Sequence, residues 1–303
     1  MPIRFARDMP EARSRMIRFL ERDAAGMWAQ QADGIDVPPH MADVPVELRA
    51  ARMAAWDAAA TRNAELFFVS ADLTDLVIEA AKSLPEFGMH PEVLPARSGL
   101  LCWAKPVTTR IAERLGIDLP TVAASWVHLP DGVWITWHDD AASLTSGVPE
   151  PARSEFMAKF GWLCPGPAQL IPWGERMVLS DSFGPLGAAV LALVATWLLM
   201  GQTITESRRE QAERAQARRI ARRGHPTDPV TYVALRKVER PDGQEVPEQR
   251  GREYRSRWMV AGHWRRQWYP SVEQHRPIWI HPYVKGDPDA PLLHVEKVYT
   301  LRR

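Results

Sequence analysis

Apolar residues at helical spacing open the chain. Met16, Leu20, Ala24, Met27 and Trp28 recur every three or four residues and predict an amphipathic helix from about Met9 to Gln31. Asp8 with Glu11 three residues on has the form of a capping box, and Pro10 suits the first turn. Arg13, Arg15, Arg18 and Arg22 fall off the apolar stripe and are expected on a solvated basic side. Gly34, Pro38, Pro39 and Pro45 predict a loop, and the Ala- and Arg-rich run from Val46 to Thr61 a second helix. Leu66-Phe67-Phe68-Val69 is a short apolar run read as a buried strand. Ser70 then caps a helix that carries Leu73, Leu76, Val77 and Ala80 and stops before Pro85.

Three extended runs follow, at Gly99 to Val107, Val122 to His128 and Val133 to His138, and a shorter one at Ala168 to Trp173. Leu129-Pro130-Asp131-Gly132 joins two of them, with Pro setting one corner and Gly permitting positive φ. Trp134 and Trp137 are three apart, so they cannot share a strand face without a bulge. His138-Asp139-Asp140 ends a strand. Two adjacent acids supply too few oxygens for a hard cation, so this cluster reads as a solvated strand end.

The run FGPLGAAVLALVATWLLM, 183 to 200, carries no charge. Only about 15 of its residues are good helix formers, or about 22 Å at 1.5 Å each, against a hydrocarbon core of about 30 Å. It reads as a buried helix. Thr203 and Glu206 form a capping-box pattern, and Gly224 with Pro226 marks a stop, predicting a helix between them. Within it, arginines 208, 209, 214, 218, 219, 222 and 223 face glutamates 206, 210 and 213, and the acids all come early. Arg218, Arg219, Arg222 and Arg223 are thereby candidates for phosphate contact.

Beyond Gly224 the pattern turns extended, with strands expected at Val230 to Val238, Arg257 to His263, Pro277 to Val284 and Val295 to Leu301 in an antiparallel meander. Alternation puts Ser256, Trp258, Val260, Gly262 and Trp264 on one face, and Arg255, Arg257, Met259, Ala261, His263 and Arg265 on the other. The fold class is therefore α+β: an N-terminal mixed domain with an antiparallel sheet (1–180), a helical pair (181–224) and a small C-terminal antiparallel β module (225–303).

Composition narrows the function. A length of 303 residues with 46% hydrophobic and 25% charged residues is that of a globular protein, and a net charge of +1 leaves only local patches to attract polyanions. Cys102 and Cys164 have no metal-type spacing and read as reduced thiols. With an N-terminus lacking the apolar core of a signal peptide, they give an expected cytoplasmic location. No phosphate-binding glycine loop, nucleophile elbow or dinucleotide fingerprint occurs, and neither a metal nor a cofactor is expected.

Arginines offer planar bidentate donors to phosphate, and aromatics offer stacking surfaces to unpaired bases. Arg255, Arg257, His263, Arg265, Arg266, Trp268, Arg276 and Lys285 are accordingly candidates for binding DNA or RNA, alongside the four helical arginines. Metal-independent RNA cleavage is the first alternative. It needs a general acid and base with nearby cations, for which His263, Tyr269 and His281 are the candidate residues. A scaffold meeting a protein partner, or a second copy of the chain, through its Trp-rich surface is the second.

The segments Arg257-Trp258-Met259-Val260-Ala261-Gly262-His263-Trp264-Arg265-Arg266-Gln267-Trp268-Tyr269-Pro270-Ser271, His275-Arg276-Pro277-Ile278-Trp279-Ile280 and Pro282-Tyr283-Val284-Lys285-Gly286 resemble a family of uncharacterised proteins of actinobacteria and their phages or plasmids. The likeness covers the last third of the chain well. It implies a phage- or mobile-element-related role and carries over no functional residue.

Overall fold

In the computed structural model, most of the apolar runs of the first 236 residues gather around one mixed sheet of eight strands. The structure describes residues 3, 5–30, 36–112, 117–177, 184–236, 256–270, 273–285, 290 and 291. The chain divides into two units, Met1–Arg236 and Lys237–Arg303.

In the first unit the elements run α1 (Met9–Phe19), a π turn (Leu20–Ala24), α2 (Ala25–Trp28), α3 (Val46–Asn63), β1 (Glu65–Val69), α4 (Ala71–Ala81), β2 (Phe87–Gly88), β3 (Ser98–Trp103), β4 (Thr108–Ala112), β5 (Ile117–His128) and β6 (Gly132–Asp140). They continue with α5 (Ala141–Leu144), α6 (Ala152–Phe160), β7 (Leu163–Pro172), β8 (Arg176–Met177), α7 (Gly187–Met200), β9 (Thr205–Glu210), α8 (Arg214–Arg222) and β10 (Val230–Leu235). The sheet order is β7-β6-β5-β3-β1-β10-β9, with β4 on β5, while β2 and β8 form a separate pair. The fold is α+β. β1 pairs parallel with both β3 and β10, so the sheet is mixed rather than purely antiparallel.

Both faces of this sheet are covered. The strand registers put Leu66, Phe68, Leu100, Cys102 and Ala123 on one face, where they pack against Met9, Met16 and Phe19 of α1 and Ala54 and Ala58 of α3. Phe67, Leu101, Ala124 and Trp126 share the other face. There Trp126 lies 5.7 Å from Phe67 and meets Trp197 of α7 edge-on at 5.1 Å. The indole of Trp103 donates to Thr196 Oγ1 on α7 at 3.1 Å. Strands buried on both faces have no solvent side to be polar, so ELFFV and SGLLCW read as unbroken apolar runs.

Ser70 caps α4 as its position predicts, accepting from the Leu73 N–H at 3.3 Å. The uncharged run at 187–200 forms a helix buried along almost its whole length. No helix among the described residues is long and apolar enough to cross a membrane. Trp134 and Trp137 are both buried on opposite faces of β6: Trp134 with Met41, Val44 and Met53, Trp137 across from Ala124.

Four expectations change. Asp8 makes no side-chain cap to its helix; its carboxylate accepts the Phe5 N–H instead. Arg13 is buried, not solvated: its guanidinium donates to Ala64 O at 3.1 Å and to Asp228 Oδ2 at 2.9 Å, tying α1 to the ends of α3 and of the loop before β10. The segment after α7 is not a helix from Thr203. Thr205–Glu210 is β9, paired antiparallel with β10 over six residues, and only Arg214–Arg222 is α-helical. An unpaired edge on β10 would leave a row of open backbone groups. β9 satisfies them, and its own exposed charges then blunt the new edge. Finally, β10 lies in the main sheet beside β1, so the division between units falls at 236/237 instead of 180/181 and 224/225.

Gly99 lies opposite Trp126, and a Cβ there would sit 2.3 Å from the indole. Gly99→Ala is expected to cost about 1–3 kcal/mol through overpacking, measured as a lower urea midpoint with an unchanged slope.

Candidate nucleic-acid interface

α8 is a short amphipathic helix. Ile220 is its buried anchor, while Arg214, Arg218 and Arg222 recur every four residues, about 6 Å apart along the axis, on an exposed stripe with Arg219 beside it. No carboxylate among the described residues pairs with Arg218, Arg219 or Arg222; Arg222 Nε reaches only the Arg218 carbonyl, at 3.4 Å. Arg223 differs from them. Its guanidinium donates to Glu11 Oε1 at 3.1 Å and to Ser14 Oγ at 3.3 Å, so it anchors α8 to α1. His225 continues that anchor with its Nδ1 2.8 Å from Ser14 Oγ, and burial lowers its pKa. At the other end of the helix Arg7 meets Glu213 at 3.7 Å.

In the second unit the described elements are β11 (Trp258–Val260), β12 (His263–Tyr269), β13 (Gln274–Ile280) and β14 (Tyr283–Lys285). β12 pairs with β13 and β11 with β14, both antiparallel, so Ala261-Gly262 and His281-Pro282 interrupt one hairpin-like pair of chains. The strand expected at Val295 to Leu301 lies outside the described residues, as does Arg255. Gly262 sits where a Cβ would be 2.5 Å from the Trp279 ring, and Trp279 meets Trp264 edge-on at 5.3 Å.

Directly opposed residues share a face, so the β12–β13 register sorts the candidate residues. His263, Arg265, Gln267 and Tyr269 share one face with Ile278 and Arg276, whose guanidinium lies 5.5 Å from the Tyr269 ring centre. Trp264, Arg266 and Trp268 share the other with Trp279, Pro277 and His275. Arg266, Trp268 and His275 are exposed, Trp268 by 44%, and the Trp268 ring is 4.9 Å from His275. His263 and Arg265 therefore point the same way, while Arg266 and Trp268 point the opposite way. Arg257 is not part of a cationic row: its Nε donates to Ala290 O at 2.7 Å and its N–H to Pro291 O at 2.8 Å. Lys285 is half-buried opposite Trp258, and His281 is exposed in the break.

Of the candidate catalytic residues, His263 and Tyr269 are six residues apart on one strand, or about 20 Å, too far to serve one phosphate as acid and base, whereas His281 directly follows Ile280, the register partner of His263.

Inside the main sheet, the strand-end cluster of His138 and Asp139 gains buried partners on other strands. His138 and Asp139 are buried, not solvated. Asp139 accepts from the Arg110 guanidinium and from Thr121 Oγ1 at 3.2 Å. Burial raises its pKa, and Arg110 opposes that rise. Gly166 makes room for the pair, since a Cβ there would be 3.0 Å from the Arg110 guanidinium. Asp140 caps α5 through Ala142 N–H. Among the described residues no group of acids, histidines and cysteines is arranged to hold a metal.

His138 Nε2 is 2.9 Å from Ser125 Oγ, and burial drives the imidazole down to about 4, leaving it neutral. A Ser–His pair invites a nucleophile reading. The space beside Ser125 is about 10 Å³, room for one water and for no substrate carbonyl, so the pair is structural. Asp57 lines the same space, with no other charged residue around it, and burial pushes its carboxyl up to about 7.

Arg110→Met leaves Asp139 buried without its cation and is expected to cost about 3–5 kcal/mol at neutral pH in urea unfolding. The Asp57 shift has a definite sign. The folded state holds a proton that the unfolded chain releases near pH 4, so this group's stability contribution falls as pH rises from about 4 through 7. Asp57→Asn should flatten the melting-temperature profile over that window and raise stability at about pH 8 relative to wild type.

No family model matches this sequence, and no curated protein matches it. Among solved structures, the crystal structure of AcrVA2 aligns with 91% of this chain and 93% of its own, at 9% identity and a TM-score of 0.43.

Proposed function

We propose that the protein binds nucleic acid without cleaving it, using arginines for the phosphate backbone and exposed aromatic surface for unpaired bases. The observation that carries the reading is the α8 stripe. Arg218, Arg219 and Arg222 are exposed together on a helix whose other face is anchored, and no carboxylate among the described residues neutralises them. Guanidinium groups left in this state gain most from phosphate, because binding releases counterions and costs no internal ion pair. Trp268 with Arg266 beside it supplies, in the second unit, the stacking and cationic groups that single strands use. The resemblance to phage- and plasmid-borne proteins fits a regulatory role.

A second reading, a protein-interaction surface, is favoured by one observation: Met259 and Val284 face each other across β11–β14 while 62% and 43% exposed.

In fluorescence anisotropy with a single-stranded oligonucleotide, the logarithm of the binding constant should fall with the logarithm of salt. Changing Arg218, Arg219 and Arg222 together to Ala should reduce that slope by about 2, at roughly 0.7 per phosphate contact. Binding that ignores salt, or a slope unchanged in the triple variant, overturns the proposal. Size-exclusion profiles that shift on Met259→Glu, with no nucleic acid bound, favour the second reading.

A further inference from the structure

β3 pairs parallel with β1 along one side and antiparallel with β5 along the other, and its carboxyl end is at Trp103. A cavity of about 170 Å³ opens there, beneath the 103–106 loop and beside α5. None of the contacts described so far uses this space.

Its size and lining specify what fits. A 150 Å³ apolar cavity holds one benzene ring, whereas sites for whole nucleotides or drug-sized ligands run from about 300 Å³ upward. One ring system therefore fits and a nucleotide does not. Trp162, Pro120 and Val122 supply flat apolar walls, and the Trp162 ring already carries the Arg15 guanidinium 5.1 Å from its centre. At the rim Lys105 is paired with Asp75, whereas Asp140 accepts from two neutral donors, Ala142 N–H and, at 2.9 Å, Ser143 Oγ. The Cys102 thiol, pushed well above its ordinary value by burial, adds no charge. An anionic ligand finds no uncompensated cation among the lining residues, and the Asp140 carboxylate repels it. An uncharged planar ring with polar edges finds apolar walls, and a hydroxyl and a carboxylate beside them.

We infer that this cavity is a binding site for one uncharged planar heteroaromatic ring of nucleobase size. The ring can come from a free nucleoside or from an unpaired base of a bound strand; the second source rests on the nucleic-acid reading above. Geometry links the two. Ile3 lines the cavity, and Arg7, four residues on, meets Glu213 at the start of α8. The cavity and the arginine stripe thus flank the same end of α1.

The test uses the full chain and three probes: adenosine, ribose, and a single-stranded oligonucleotide with or without one abasic position. Adenosine is expected to bind with a Kd of about 1 mM or tighter by calorimetry, and ribose not to bind. Val122→Phe and Ser143→Leu, each checked for a wild-type-like thermal transition, should each weaken adenosine at least about tenfold. Two variants on different walls keep the result readable if one misfolds. No adenosine binding, or equal binding in both folded variants, overturns the site. The arginine triple variant separates the readings. Adenosine binding retained while oligonucleotide binding disappears supports a free-nucleoside site independent of the polymer. Affinity for the intact oligonucleotide above that for the abasic one, with the difference abolished in Val122→Phe, supports a base in the cavity. Salt-dependent oligonucleotide binding without any adenosine binding removes the cavity site and leaves the arginine reading standing.

Discussion

The main sheet is covered on both faces, and most features of the first unit follow from that constraint. Trp126 shows it most directly. Its indole lies over Gly99 of the neighbouring strand, against Phe67 and against the edge of Trp197 on α7. One side chain thus couples β5, β3, β1 and a helix on the same face. Aromatic contacts of this kind add to a large area burial, and they require a glycine wherever a ring must approach a backbone closely. With α1 and α3 closing the opposite face, nearly every residue of β1, β3 and β6 has to be compatible with an interior, the exposed Glu65 at the start of β1 excepted.

Polar groups on those strands are drawn inside with the rest. Asp139 and Arg110 meet within the sheet, His138 is held neutral against Ser125, and Arg13 is buried while its partner Asp228 stays largely exposed. Such groups are costly unless paired, and removing one partner of a buried pair leaves the other charge uncompensated. The arginines that escape this role are then conspicuous. Arg223 is committed to Glu11 and Ser14, whereas Arg218, Arg219 and Arg222, which precede it on the same helix, face solvent. The difference between a structural and a ligand-facing arginine is set here by the presence of an acid on α1, within reach of only the last of them.

The second unit is built on a different principle. Its described strands form two short antiparallel ladders with few deeply buried side chains, Trp279 and Pro277 among them. Two-stranded ladders are marginal by themselves, and packing of Trp279 on Gly262 and Trp264 is what holds the interruption between the ladders in shape. The same thinness exposes both faces, so Arg265 and Arg266 can both reach solvent although they point in opposite directions.

Local chemistry alone determined a good deal of this protein. The cap at Ser70, the helix from Val46, the apolar strand at Leu66 and the buried helix of 187–200 all follow from capping and unbroken apolar runs. Gly132 after the β5–β6 connection differs: it has no positive φ and instead makes room for the Ile171 carbonyl, 2.4 Å from where a Cβ would sit. Capping and apolar runs are properties of a few neighbouring residues. The alternation that joins His263 with Arg265 is equally local. What lay beyond it was set by partners far away in sequence. Thr203 to Glu210 has a helix-start pattern, yet an open edge on β10 turned it into a strand. Arg13 and Asp139 look like surface charges until an element more than 20 residues distant brings a partner to them: Asp228 for one, Arg110 for the other. The Arg257 guanidinium was lost from the cationic row to one backbone carbonyl, that of Ala290, 33 residues on. A one-dimensional pattern records which residues can be buried or charged. Only the tertiary structure decides which of them meet, because burial and pairing are properties of the neighbour as much as of the residue.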